Sequence, residues 1–221
     1  MTHSVRMMQR PDQKLCFDGF VLVGGVSSRM GRDKAQIILG GQKLYERAAA
    51  ALSGICVGSI SLVGGESDKL AADTDLDVTP LPDLHIVGKP ASRAPIIGLY
   101  TALLTAKTEW IAILASDLPF VTADLMTKLA VLCCDEFDAI VPIQPDATPQ
   151  PLCAFYRRES CLPVVEDMLT TGDLKLQQLL SLVSTRYIEF VEIAELNGSA
   201  NFFLNINRPD DYESALKIDA R

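Results

Sequence analysis

Phe17-Asp18-Gly19-Phe20-Val21-Leu22-Val23-Gly24-Gly25-Val26-Ser27-Ser28-Arg29-Met30-Gly31-Arg32-Asp33-Lys34 is an apolar run that stops at a glycine pair and passes into small and basic residues. The run, Phe17 to Val23, reads as a first strand. The glycines let backbone N–H groups come close to a ligand. Consecutive N–H groups in such a loop form a concave anion site. Arg29, Arg32 and Lys34 add fixed positive charge, Arg as a planar fork and Lys as a compact point charge. A glycine-lined, triply basic loop directly after a strand reads as a cradle for a triphosphate.

Two well-known phosphate loops do not fit. A P-loop needs four residues between its glycines, then Lys-Ser/Thr. Here five separate Gly25 from Gly31, and Arg-Asp-Lys follows. The dinucleotide fingerprint G-x-G-x-x-G is also absent from this stretch.

Working outward, apolar strands alternate with helical spacing. Leu44, Ala48, Ala51, Leu52 and Ile55 predict a helix over 43–54 that ends at Gly54. Val57–Val63 reads as a second strand. It ends in Leu62-Val63-Gly64-Gly65, a near copy of Leu22-Val23-Gly24-Gly25. Asp77–Leu81 reads as a third strand, and Ile96, Leu99, Tyr100 and Leu103 mark a helix. Trp110–Ala115 is continuously apolar, as expected of a strand buried on both faces. Thr122 is placed to cap a helix running to Leu132. Further strands are expected at Ala139–Ile143, Leu152–Tyr156, Arg186–Val191 and Phe202–Ile206. Helices are expected over 159–169, 174–182 and 209–217. This order implies an α/β chain with a mostly parallel sheet and helices on both faces. Ligands in such sheets bind at the carboxyl ends of strands. Gly24, Gly64, Asp83 and Asp117 should therefore converge on one rim.

The 221 residues carry a net charge of −8 and are 48% hydrophobic. The acidic balance argues against a nucleic-acid partner, and it makes the basic cluster at 29–34 stand out. No apolar run reaches membrane-spanning length. The six Cys form no C-x-x-C, and there are two His. Buried free thiols in a reducing cytoplasm are the expectation, rather than zinc. Residues 1–16 read as a flexible N-terminal extension. A single domain is expected over 17–221, with a nucleotide half at about 17–143 and an acceptor half at about 144–221. Cys133-Cys134 is expected inside a helix, as core.

Ser116-Asp117-Leu118-Pro119-Phe120 is a second signal. A carboxylate at the end of a buried strand is costly unless solvated or paired with a cation. Mg²⁺ takes one or two such carboxylates and fills its octahedron with phosphate oxygens and water. Asp117 is therefore the candidate metal ligand, with a plain turn Asp as the alternative. Asp83, after a short strand, is either a second site acid or a surface turn. In Asn205-Ile206-Asn207-Arg208-Pro209-Asp210-Asp211, Asn207 is placed to cap the last helix, with Pro209 in its first turn. Lys89 and Arg93 read as solvated loop charge, and His85 as structural.

These stretches resemble the molybdenum cofactor guanylyltransferases. Their signature is Leu-Ala-Gly-Gly-x-Ser-x-Arg-Met-Gly-x-Asp-Lys; here Val23 replaces Ala. Related cytidylyltransferases carry Ala-Ala-Gly and Pro-Lys, so Gly24-Gly25 and Asp33-Lys34 imply guanine. The family has Cys-Asp-x-Pro-Phe where this chain has Ser116-Asp117-Leu118-Pro119-Phe120. It has a Gly-Pro-Leu-x-Gly loop where this chain has Ala94-Pro95-Ile96-Ile97-Gly98. Gln150-Pro151-Leu152 resembles its acceptor-side pair, and 205–211 its Asn-x-Asn-x-Pro-x-Asp/Glu element.

The resemblance implies the Rossmann-like nucleotidyltransferase fold of the nucleotide-diphospho-sugar transferases. It implies transfer of GMP from GTP to molybdopterin with Mg²⁺ as cofactor. Arg29, Lys34 and Asp117 would be catalytic. Leu22, Val23, Gly24, Gly25, Asp83, Asn205 and Asn207 would join Lys34 and Asp117 around the nucleotide. A partner that inserts molybdenum or receives the product is also implied, in the cytoplasm. Cytidylyl transfer, guanylyl transfer to another phosphorylated acceptor, and non-catalytic GTP binding for cofactor delivery stay open.

Overall fold

A computed structural model describes residues 16–24, 34–56, 59–84 and 94–220. The signature's Gly25 and Arg29 lie outside these residues, as do 1–15, His85, Lys89 and Arg93. In chain order the first elements are β1 (Phe17–Leu22), β2 (Ile38–Leu39), β3 (Gln42–Lys43), α1 (Leu44–Ser53), β4 (Ile60–Val63) and α2 (Ser67–Ala72). Then come β5 (Val78–Leu81), α3 (Pro95–Thr105), β6 (Trp110–Ala115), α4 (Ala123–Ala130), β7 (Ala139–Pro142) and β8 (Cys153–Arg157). The last are α5 (Arg158–Thr171), α6 (Leu176–Leu182), β9 (Thr185–Ile188), α7 (Phe190–Ile193) and α8 (Pro209–Asp219).

Seven strands form one sheet in the order β5-β4-β1-β6-β8-β7-β9, and β2 and β3 form a separate hairpin. All neighbours in the sheet are parallel except at β8, which runs antiparallel to both β6 and β7. Side chains alternate between the two faces, as strand geometry requires. Phe17, Val21, Trp110, Leu114 and Phe155 point to one core, which α1 and α4 cover. Phe20, Leu22, Ile111, Ile113 and Tyr156 point to the other, which α3, α5 and α6 cover. Helices thus lie on both faces, as the alternation predicted. A small third cluster of Leu39, Leu44, Ile206 and Ala215 fastens α8 to the β2–β3 hairpin.

Two expected strands fail in whole or in part. Phe202–Ile206 is not a strand. The Phe202 and Leu204 amides bond locally, to Ser199 O and Asn201 O, and Phe202 and Phe203 are both buried. Arg186–Val191 is a strand only to Ile188. The Glu192 carboxylate then accepts from the Glu189 amide at 2.9 Å and starts α7, a capping box that outweighs the local β-propensity. Cys133-Cys134 follows α4 rather than lying within it, with Cys133 buried and Cys134 exposed. Cys153 and Cys161 are buried and free, whereas Cys16 is exposed, so the thiols are not uniformly core.

Candidate active site

From β1 the chain crosses outward to β4 and β5, then returns to β6 on the other side of β1. The carboxyl ends of β1 and β6 therefore flank a topological switch point, where open α/β sheets bind ligands. Leu22 O accepts from the Ser116 amide at 3.1 Å, so the two chains leave the sheet side by side. Leu22 and Val23 are buried and Gly24 is exposed on this rim.

The second glycine pair comes to the same place. A Cβ on Gly24 would lie 3.7 Å from the Gly65 amide nitrogen and 3.8 Å from Asp83 Oδ2. Gly64 has φ +87°, and a Cβ there would sit 2.9 Å from Asp83 Oδ1. Only glycine combines that backbone with that neighbour. The near-repeat Leu62-Val63-Gly64-Gly65 is thus what allows the Asp83 carboxylate to stand against the rim beside Gly24.

Lys34 opens a 3-10 turn, Lys34–Gln36. Its ammonium donates to Asn207 Oδ1 at 2.6 Å. Asp117 lies two residues past the end of β6. Burial pushes its carboxyl above the usual value of 3.8, and the positive charge of Lys34 pulls it part of the way back. The Ile206 amide donates to Asp117 O at 3.0 Å, which brings the segment 204–207 over the Asp117 turn. Asn205 lies half-buried on that segment. Asn207 does not cap α8. Arg208 holds the cap position, and Asp211 Oδ2 accepts from the amides of Asn207 and Arg208 at 2.8 and 2.7 Å. The Asn207 side chain is thereby left to Lys34.

Gln150-Pro151-Leu152 precedes β8. Because β8 is antiparallel, its first residue, Cys153, pairs with Leu114 at the end of β6. The Ala115 amide donates to Leu152 O at 2.8 Å. The segment therefore enters at the rim where Asp117 leaves.

Lys34, Asp117 and Asn207 are thus assembled from residues 173 positions apart at the extremes. A partly desolvated carboxylate beside an ammonium suits a hard cation shared with phosphate. Among the described residues no three His, Cys, Asp or Glu form a metal-holding group. Sequence reading missed Arg47, which reaches the Asp117 turn from α1.

Residues 19–188 match the model of the MobA-like NTP transferase domain. The chain belongs to that family. A probable molybdenum cofactor guanylyltransferase from Carboxydothermus hydrogenoformans is 33% identical over 90% of this chain and 94% of its own. One from a Nostoc species is 31% identical over 86% of each. The crystal structure of molybdopterin-guanine dinucleotide biosynthesis protein A from Archaeoglobus fulgidus superposes with a TM-score of 0.74. It is 26% identical and is covered to 92% of this chain and 99% of its own. A Thermus thermophilus 2-C-methyl-D-erythritol 4-phosphate cytidylyltransferase, 17% identical, shares the fold with a TM-score of 0.65, covering 94% of this chain and all of its own. The protein is a nucleotidyltransferase of this fold. No described helix is long and apolar enough to cross a membrane.

Proposed function

We propose that this protein transfers GMP from GTP to the terminal phosphate of molybdopterin, or of its molybdenum-loaded form, and releases pyrophosphate. The observation that carries the reading is the meeting of Lys34, Asp117 and Asn207 at the carboxyl ends of β1 and β6. The guanylyltransferase relatives cover nearly the whole chain and support guanine as the base.

An oxygen of the acceptor's terminal phosphate attacks the α-phosphorus of GTP. The bond from that phosphorus to the β-phosphate bridging oxygen breaks, and the electron pair leaves with pyrophosphate. A phosphate nucleophile is already ionised near neutral pH, so no general base is required. Catalysis then consists of alignment and charge neutralisation. The nucleotide lies over Leu22, Val23, Gly24 and Gly25, with Asp83 beside it. Arg29 and Lys34 hold the phosphates, and Asn207 fixes the Lys34 ammonium. Asp117 would hold Mg²⁺, which would supply neutralisation of phosphate charge there. We assign residues 17–143 to the nucleotide and 144–221, with Asn205, to the acceptor. The reaction is placed in the cytoplasm, and the product passes to a molybdenum-insertion protein or a client enzyme.

A pyrophosphate-release assay with Mg²⁺ and molybdopterin tests this. Release is expected with GTP and not with CTP or ATP. Release with CTP alone would make the protein a cytidylyltransferase. GTP binding without release would make it a carrier.

A further inference from the structure

The turn that carries Asp117 has a second attachment, which no sequence motif announces. Pro119 lacks an N–H and cannot extend a ladder; what its backbone offers a neighbour is the carbonyl. Arg47, on α1, grips it: Nε donates to Pro119 O at 3.1 Å. The same guanidinium donates from Nη1 to Leu39 O at 3.3 Å, lies 5.9 Å from the centre of the Phe120 ring, and pairs with Asp219 Oδ1 at 2.9 Å. Room for that pair exists because residue 40 is glycine. A Cβ on Gly40 would collide with Asp219 Oδ2 and fall 3.2 Å from Arg47 Nη1. Both charged side chains are largely covered, at 21% and 18% exposure.

One guanidinium thus joins the Asp117 turn, the β2–β3 hairpin and the C-terminal end of α8. The other end of α8 supplies Asp211, which holds the backbone of Asn207 and so the partner of Lys34. Both charges of the rim are referenced to α8 at its two ends.

We infer that Arg47 is a positioning residue, which fixes Asp117 for its cation through the Pro119 carbonyl and is itself held by Asp219. The inference rests on the proposed nucleotidyl transfer for its purpose, though not for its geometry. A planar fork satisfies these directions at once, and an ammonium does not. The side chain never touches substrate; it sets where the carboxylate stands.

Two measurements on the intact protein test this. Hydrogen exchange, without nucleotide or metal, is compared in wild type, Arg47→Lys, Arg47→Met and Asp219→Asn. Amides at Leu118, Phe120 and Val121 are expected to exchange about tenfold faster in the Arg47 variants, with β6 unchanged. Asp219→Asn should show a smaller rise at the same amides. Faster exchange throughout β6 as well would mean general destabilisation and overturn the assignment. Mn²⁺ binding in the presence of GTP, read by electron paramagnetic resonance, is expected to weaken about tenfold in Arg47→Met and less in Arg47→Lys, with the KM for GTP within about twofold. If Arg47→Met does not fold, Arg47→Lys decides. Wild-type exchange at 118–121 together with wild-type Mn²⁺ binding in Arg47→Lys refutes the role. A wild type that binds Mn²⁺ and GTP but releases no pyrophosphate with molybdopterin refutes the proposed transfer and leaves this inference standing.

Discussion

Asp18 and Asp117 sit at opposite ends of the same pair of parallel strands. Asp18 is 6% exposed near the start of β1. Its Oδ2 accepts from the Lys107 and Thr108 amides at 2.7 and 3.1 Å, and its own amide donates to Thr108 Oγ1 at 2.9 Å. Two backbone amides answer its carboxylate and tie β1 to the approach to β6. Asp117, past the end of β6, is answered otherwise. Among the described residues its carboxylate feels the charge of Lys34 and takes an amide bond from its own backbone, and burial still pushes its carboxyl up. One carboxylate is placed for the fold. The other is held at a cost that a ligand can offset.

The comparison can be broken at either end. Asp117→Asn should lower kcat by about a thousandfold, the scale of losing a preorganised charge in a reaction built on neutralisation. The same protein should be at least as stable as wild type at neutral pH, because a buried charge has gone; a pyrophosphate assay and a thermal melt check both. Lys34→Met should cost about a hundredfold in kcat/KM for GTP, since in the proposed reaction it removes one of several cations that hold the phosphates. Asp18→Ala should do the reverse. It leaves two buried amides unanswered and should cost about 3 kcal/mol of stability, a fall in melting temperature of about 6–12 °C. The kcat of the folded fraction should stay within about twofold.

The smallest effect concerns pH. Between 3.8 and its raised folded-state value, Asp117 keeps a proton that the unfolded chain has released. Stability contributed at this site therefore falls as pH rises through that window, and the loss is absent below 3.8. Denaturation midpoints of metal-free wild type minus those of Asp117→Asn, taken from about pH 3 to about pH 6, should decline across it. Lys34→Met should move the decline to higher pH, because the charge that holds the carboxyl down is gone.

The sequence made one half of this contrast readable. Continuous apolar runs and glycine pairs mark β1, β4 and β6, and the two near-identical strand ends do meet at Gly24, Gly64 and Asp83. The turn after Trp110–Ala115 falls where its proline puts it, and Thr122 caps α4 by accepting from the Leu125 amide. Signals of this kind are local, within a few residues of what they control. Arg47 is illegible for the opposite reason. Its partners are Leu39, Pro119, Phe120 and Asp219, and on its own helix it looks like any solvated cation. Asn207 misleads in the same way. Its sequence position suits a cap, but Asp211 takes the capping work and frees the amide for Lys34. Short elements were missed as well: α2 has six residues, too few to show a period.

The antiparallel β8 has a consequence for how this protein can be cut. Its five residues zip between β6 and β7, so the later half of the chain is laced through the sheet that the earlier half begins. A fragment ending at residue 143 would strip the partner from β6, a strand whose six residues are all buried, and present a sticky apolar margin to other chains. Neither half can be borrowed as a free-standing module. Swinging the halves apart would unzip the middle of the sheet.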